Sequence, residues 1–196
     1  MRCFVIVAAA VLVGCGDEPP AAPPDAFVPG PCWPEDLERK PRGSAVLGTG
    51  RETFQAMPDV LPLEYGTQDG FMLIANVRMT GFEPGNPKDI LDPRNPRTRI
   101  RAYFADTNVP LNYSAHCPFR AAYVDVGGEL QMVEAAAIVF ETCWRSDRLF
   151  GQRIRIELEL LDRDGGYTTD VKTVTAAPPE GFHPIDMNSP PCTPPR

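Results

Sequence analysis

Residues 152–162 read QRIRIELELLD. Ile154, Ile156, Leu158 and Leu160 take every second position, and Arg153, Arg155, Glu157 and Glu159 take the positions between. Successive side chains of a strand point to opposite faces, so a strand separates these two sets, whereas a helix spreads them around its circumference. The stretch is therefore a β-strand with one apolar and one charged face.

The same period recurs upstream. Residues 71–80 (FMLIANVRMT) place Phe71, Leu73, Ala75, Val77 and Met79 on one face; the other begins apolar with Met72 and Ile74 and turns polar at Asn76, Arg78 and Thr80. Residues 97–106 (RTRIRAYFAD) set Ile100, Ala102 and Phe104 against Arg99, Arg101 and Tyr103. Further strands are predicted over 44–48, 62–66, 120–126, 129–132, 135–141 and 167–175. Turn formers separate them: Asp69-Gly70, the Pro-rich 84–96, Gly127-Gly128 and Gly165-Gly166. The alanines of 130–140 (LQMVEAAAIVF) would suit a short helix, but Ile138, Val139 and Phe140 favour a strand. Short strands with frequent turns predict an all-β fold, an antiparallel β-sandwich of immunoglobulin-like topology. Trp144 beside Cys143 suits a disulfide packed on an aromatic ring, although the antibody spacing is missing.

The chain has 196 residues and a formal charge of −7, which fits one domain and argues against sequence-independent nucleic-acid binding, since that needs clustered positive charge. Its two histidines, His116 and His183, leave little for imidazole catalysis or multi-histidine metal sites. Proline divides the chain: eight of the 23 prolines fall in 15–41 and seven in 178–196. Residues 16–31 (GDEPPAAPPDAFVPGP) read as a semi-rigid tether, because proline has no N–H for a helix or a ladder. A proline-motif ligand is the sharper alternative.

Residues 3–14 (CFVIVAAAVLVG) form an apolar run behind Arg2, too short to span a bilayer and matching the hydrophobic region of an export signal. The run ends in Leu12-Val13-Gly14-Cys15, which resembles the lipobox of bacterial lipoprotein precursors. That resemblance implies cleavage before Cys15, a diacylglycerol thioether on Cys15 and anchoring in the lipid bilayer. The alternatives are an ordinary signal peptide or a single-pass anchor with an incidental cysteine. The expected organisation is a signal peptide over 1–14, lipidated Cys15 and tether over 15–41, a β-sandwich over 42–177 and a Pro-rich tail over 178–196. The expected place is the cell envelope, at the outer rather than the inner membrane. Residues 62–82 also resemble a stretch in uncharacterised envelope lipoproteins with small β domains, a likeness that brings no activity.

Four cysteines remain after Cys3 and Cys15: Cys32, Cys117, Cys143 and Cys192. An even number in an exported chain reads as two disulfides, with Cys117–Cys143 and Cys32–Cys192 favoured among three pairings. Zinc is the rival, but no C-x-x-C spacing occurs.

Four features invite chemistry. Asp162-Arg163-Asp164-Gly165-Gly166 resembles a calcium loop through Asp162 and Asp164, yet the full pattern of oxygen ligands is missing and a hairpin turn accounts for it. Arg97, Arg99 and Arg101, with Arg153 and Arg155, form a basic stripe for an anionic glycan or headgroup if their strands are neighbours. Glu157 and Glu159 on the same face offer cross-strand pairing instead. Tyr103, Tyr113, Tyr123, Trp144, Phe150 and Tyr167 could stack on sugars or pack into the core. No serine lies in a G-x-S-x-G or S-x-x-K setting, and His116 beside Cys117 would point to the opposite face of a strand. The expectation is a non-catalytic binding or assembly lipoprotein with no cofactor and an envelope protein as partner. A carbohydrate-binding module, calcium-assisted or not, comes second, and a glycoside hydrolase with dispersed acids third.

Overall fold

The computed structural model describes residues 37–66, 70–112, 117–141 and 144–182, all within one compact unit spanning Pro31–Arg196. The signal and lipobox, most of the tether, Cys32, Tyr113, His116, Cys143, His183 and Cys192 lie outside the described residues.

The elements run β1 (Lys40–Pro41), β2 (Ser44–Thr49), β3 (Gln55–Ala56), β4 (Val60–Pro62), β5 (Glu64–Tyr65), β6 (Phe71–Thr80), β7 (Arg97–Phe104), β8 (Phe119–Arg120), β9 (Tyr123–Val126), β10 (Glu129–Met132), β11 (Ala136–Val139), the single helical turn α1 (Ser146–Leu149), β12 (Arg153–Leu161) and β13 (Gly166–Ala177). One sheet has the order β1-β13-β12-β7-β8, with β4 also on β13; the other has β3-β2-β6-β10-β9, with β5 and β11 also on β6.

Taking β2, β6, β7, β9, β10–β11, β12 and β13 as strands A to G gives one sheet in the order A-B-E-D and one in the order G-F-C, with β8 as an added C′ strand. This is the order of an immunoglobulin-like sandwich. The pairings are antiparallel except where β1 and β4 run parallel to β13. The B and F strands, β6 and β12, contain no cysteine. Close packing holds the sheets together at that place: Phe71, Leu73, Ala75 and Val77 from β6 join Ile154, Ile156, Leu158 and Leu160 from β12 in one core, all fully buried. Each such aliphatic or aromatic side chain contributes roughly 1.5–3 kcal/mol on burial.

β6 and β10 begin and end at the predicted bounds, 71–80 and 129–132. Two predicted strands divide. Within 62–66, Leu63 N donates to Ala177 O at 2.9 Å, and the chain passes from β4 on one sheet to β5 on the other. Within 120–126, Ala121 N donates to Pro96 O at 3.0 Å, and the chain leaves β8 in one sheet for β9 in the other. Residues 136–139 are strand, not helix, since pairing with β6 buries Ile138. Another sheet change, from β1 to β2, turns at Gly43, whose φ is +52°; a Cβ there would lie 2.0 Å from Thr80 O.

Candidate functional site

Cross-strand pairing takes up part of the basic stripe. β7 lies beside β12 with Arg101 opposite Glu157 and Arg99 opposite Glu159. Arg99 is ion-paired to Glu159, Arg101 to Glu157 at 3.4 Å and Arg155 to Glu157 at 3.0 Å. The guanidinium of Arg155 also sits 4.8 Å from the ring centre of Tyr103, with that of Arg101 at 5.8 Å. Burial, against the opposing pull of Arg101, pushes the Tyr103 phenol up. Arg153 reaches Asp106 at 3.5 Å on the exposed rim. The ladder ties Arg99, Arg101, Arg153 and Arg155 to Glu157, Glu159 and Asp106, while Arg97, opposite Leu161 and Arg120, makes no ion pair among the described residues, so the face keeps more positive than negative groups.

Asp162 and Asp164 hold a hairpin. Asp162 Oδ1 accepts from the N–H groups of Asp164 at 2.9 Å and Gly166 at 2.7 Å. Asp162 Oδ2 accepts from Arg42 Nη1 at 2.8 Å. A Cβ on Gly166 would stand 2.5 Å from Asp162 Oδ2, so the glycine makes room for the carboxylate. Both oxygens of this buried side chain are occupied by donors, which favours the turn over an ion. Among the described residues no group of three or more His, Cys, Asp or Glu side chains converges as metal ligands.

Most of the aromatic candidates belong to packing. Tyr123 is buried with its hydroxyl 3.1 Å from Thr98 Oγ1, and burial raises its pKa strongly. Phe150 packs edge-on against Phe71 and Phe182. Tyr167 donates to Glu159 Oε1 at 3.1 Å, and burial raises its pKa, with Glu159 adding to the shift. Trp144 is different: it stacks edge-on to Phe104 and lines a cavity of about 380 Å³ with Asp106, Asp147, Gln152 and Arg153. Its buried indole N–H has no hydrogen-bond partner among the described residues.

A further concavity was not foreseen. A groove of about 590 Å³ opens between the sheets, walled by β11 on one side and β8 on the other. Its floor is apolar, from Ile100, Met132, Ile138 and Phe140. Its rim exposes Ile90, Phe119, Val133 and Val139, four of the large hydrophobic side chains that remain exposed. The groove follows from the sheet change at Ala121. Val133 N still donates to Ala122 O at 3.0 Å, but beyond that bond the D strand has departed and β11 has no neighbour on its outer side among the described residues.

The loop over 85–96 forms the adjacent rim. Asn95 Oδ1 accepts from Asn86 N at 2.5 Å, and Asn95 Nδ2 donates to Asp89 O at 2.8 Å. Asp92 accepts from Arg94 Nη2 at 2.7 Å and Asn86 Nδ2 at 2.9 Å. The Arg94 hydrogen bonds, with help from Asn86, hold the Asp92 carboxyl far below the usual carboxylate range. This network fixes a loop whose tip leaves Ile90 and Leu91 exposed at 62% and 78%. Two adjacent aliphatics inside the turn-forming run of 86–95 are the one sequence signal that marks the region.

No protein-family model matches this chain, and no curated protein or solved structure does either. Among the described residues no helix is long and apolar enough to cross a membrane.

Proposed function

We propose that this chain is an envelope lipoprotein, anchored in the bilayer through acylated Cys15 and held off it by the Pro-rich tether, whose sandwich binds or assembles with a partner protein. The chain has no chemistry of its own and takes no cofactor in this reading, and the outer membrane is its place. The groove between β11 and β8 carries the proposal: isolated surface hydrophobics are common, whereas an apolar floor with a rim of exposed aliphatic and aromatic side chains marks an interaction site. Two disulfides, Cys117–Cys143 and Cys32–Cys192, belong to the same proposal. The first is supported by the disulfide state of Cys117 and by the bond from Glu141 N to Leu111 O at 2.8 Å, which brings together the segments leading to the two cysteines.

The test is a pair of substitutions in cells. Cys15→Ser should release the protein from membranes and abolish lipid labelling; retention in the membrane contradicts the anchor. Phe119→Ser with Val139→Ser, in the anchored chain, should lose the partner that chemical crosslinking captures; an unchanged adduct contradicts the groove.

A carbohydrate-binding module is the second reading, favoured by Trp144. An aromatic ring lining a cavity with Asp106, Asp147 and Gln152 combines the apolar face and planar polar groups that sugars engage. A glycan array probed with the native chain and with Trp144→Ala decides it: binding lost in the variant supports this reading, and absence of glycan binding removes it.

A further inference from the structure

We propose that the outer face of the sheet containing β7 and β12 docks on the anionic headgroups of the bilayer, through Arg97 and Arg120 at the end where the N-terminal segment joins the fold. The proposal rests on the anchor assigned above to Cys15 and names the surface that the anchored domain turns to the lipid.

Register places the charges. Residues directly opposite one another in an antiparallel pair share a face of the sheet. Arg97 lies opposite Arg120 of β8 on one side and Leu161 of β12 on the other, and Leu161 lies opposite Tyr167 of β13. The face carries Arg97, Arg99, Arg101, Arg120 and Arg155 against Glu157 and Glu159, in a chain whose formal charge is −7.

Both glutamates are engaged. Glu159 pairs with Arg99 and accepts from Tyr167, and Glu157 pairs with Arg101 and Arg155. Arg97 and Arg120 make no ion pair among the described residues. Arg120 is nonetheless held in place: its Nη1 donates to Pro93 O at 3.2 Å and to Asn95 O at 3.4 Å, both neutral carbonyls. Both arginines are partly exposed. Like charges directly opposite each other on a sheet are destabilising. A phosphate shared between the two guanidiniums relieves that repulsion, and the planar fork of donors on arginine matches phosphate oxygens.

Position makes the bilayer the source of that phosphate. Tyr167 lies opposite Pro41 of β1, and the guanidinium of Arg39 stands 5.2 Å from the centre of its ring. The row Arg120, Arg97, Leu161, Tyr167, Pro41 therefore crosses the sheet from β8 to the strand through which the tether enters. Four strand spacings of about 4.8 Å put Arg120 about 19 Å from β1. An acyl anchor on Cys15 keeps this row within the tether's reach of the lipid, where a weak contact suffices because the effective concentration is high. Each arginine beside an anionic leaflet strengthens binding about fivefold. Two are too few to hold the chain alone and are screened by salt, so the contact orients the anchored domain and does not replace the anchor. At the far end of the same sheet Arg153 is already paired with Asp106.

The test uses residues 15–196 carrying Cys15→Ser, which retain the tether and the compact unit from Pro31 onward and cannot be acylated. Co-sedimentation is measured at low salt with vesicles of phosphatidylcholine alone and of phosphatidylcholine mixed equally with phosphatidylglycerol. Binding should require phosphatidylglycerol and fall as sodium chloride is raised. Arg97→Gln and Arg120→Gln should each weaken it about fivefold, and together about twenty-five-fold. Arg97→Lys with Arg120→Lys keeps the charge and should retain most of the binding, and Arg153→Gln should leave it unchanged. Without vesicles, Arg120→Gln should melt no lower than wild type, because it removes a like charge. Equal binding to both vesicles, binding that survives the double glutamine variant, or an equal loss in Arg153→Gln overturns the docking face. Absence of binding to phosphatidylglycerol overturns the bilayer as its partner, and retention on an anionic polysaccharide in that case assigns the two arginines to a glycan. No acyl chain enters this assay, so its failure leaves the anchor to be decided by the release of Cys15→Ser in cells.

Discussion

Asp162 shows what a single buried charge does in this fold. Three donors converge on its carboxylate, from its own turn and from Arg42 across 120 positions of sequence. Asp162→Ala leaves those donors unpaired and should cost about 1–3 kcal/mol, read as a lower midpoint in chemical denaturation. Because the oxygens are occupied by protein donors, millimolar calcium should leave the melting temperature unchanged; a rise of several degrees contradicts the turn. Asp92 tests the loop. Its folded pKa lies below its unfolded value, so its contribution is present above about pH 4 and is lost as the pH falls through the folded value. NMR titration should find Asp92 still ionised at about pH 3, where an ordinary aspartate is mostly protonated. Asp92→Asn should increase amide exchange across the loop and flatten that pH dependence.

At the scale of elements, pairing in two sheets decides which local patterns survive. β12 and β7 were legible because the alternation of Ile154 to Leu160 and of Ile100 to Phe104 is a property of neighbouring residues, and the Arg–Glu ladder follows once the strands meet. A double-mutant cycle on Arg99 and Glu159 should give a coupling of about 0.2–1 kcal/mol, weakening with salt. The crossings at Leu63 and Ala121 were not legible: nothing in 62–66 or 120–126 says that a strand changes sheets midway, because the bond to Ala177 or Pro96 that ends one pairing comes from far along the chain. The groove is hidden for the same reason. It is the gap left where one strand departs, and Phe119, Ile90 and Val139 approach one another only after folding. The charged stripe, by contrast, was visible in the sequence, and four of its arginines are ion-paired in the fold. Gly43 tests the crossing at β1–β2: with φ at +52° and Thr80 O in the way, Gly43→Ala should destabilise by more than about 1 kcal/mol.

At the scale of the molecule, the immunoglobulin-like order of strands supplies a stiff frame and says little about activity, since such sandwiches host many functions. The distinctive features lie at the edges of the frame: an N-terminal segment that pairs with β13, and an E strand whose second half lines an apolar trough. With the lipid anchor proposed for Cys15, such a trough would hold a partner close to the membrane. The most direct measurement is site-specific photo-crosslinking in intact cells, with the photoreactive residue at Val139 or Phe119 and, as control, at Val171 on the outer face of the opposite sheet. A discrete protein adduct from Val139 and Phe119, absent from Val171 and lost with Cys15→Ser, is the predicted result. No adduct from the groove positions, or the same adducts from Val171, would contradict the account.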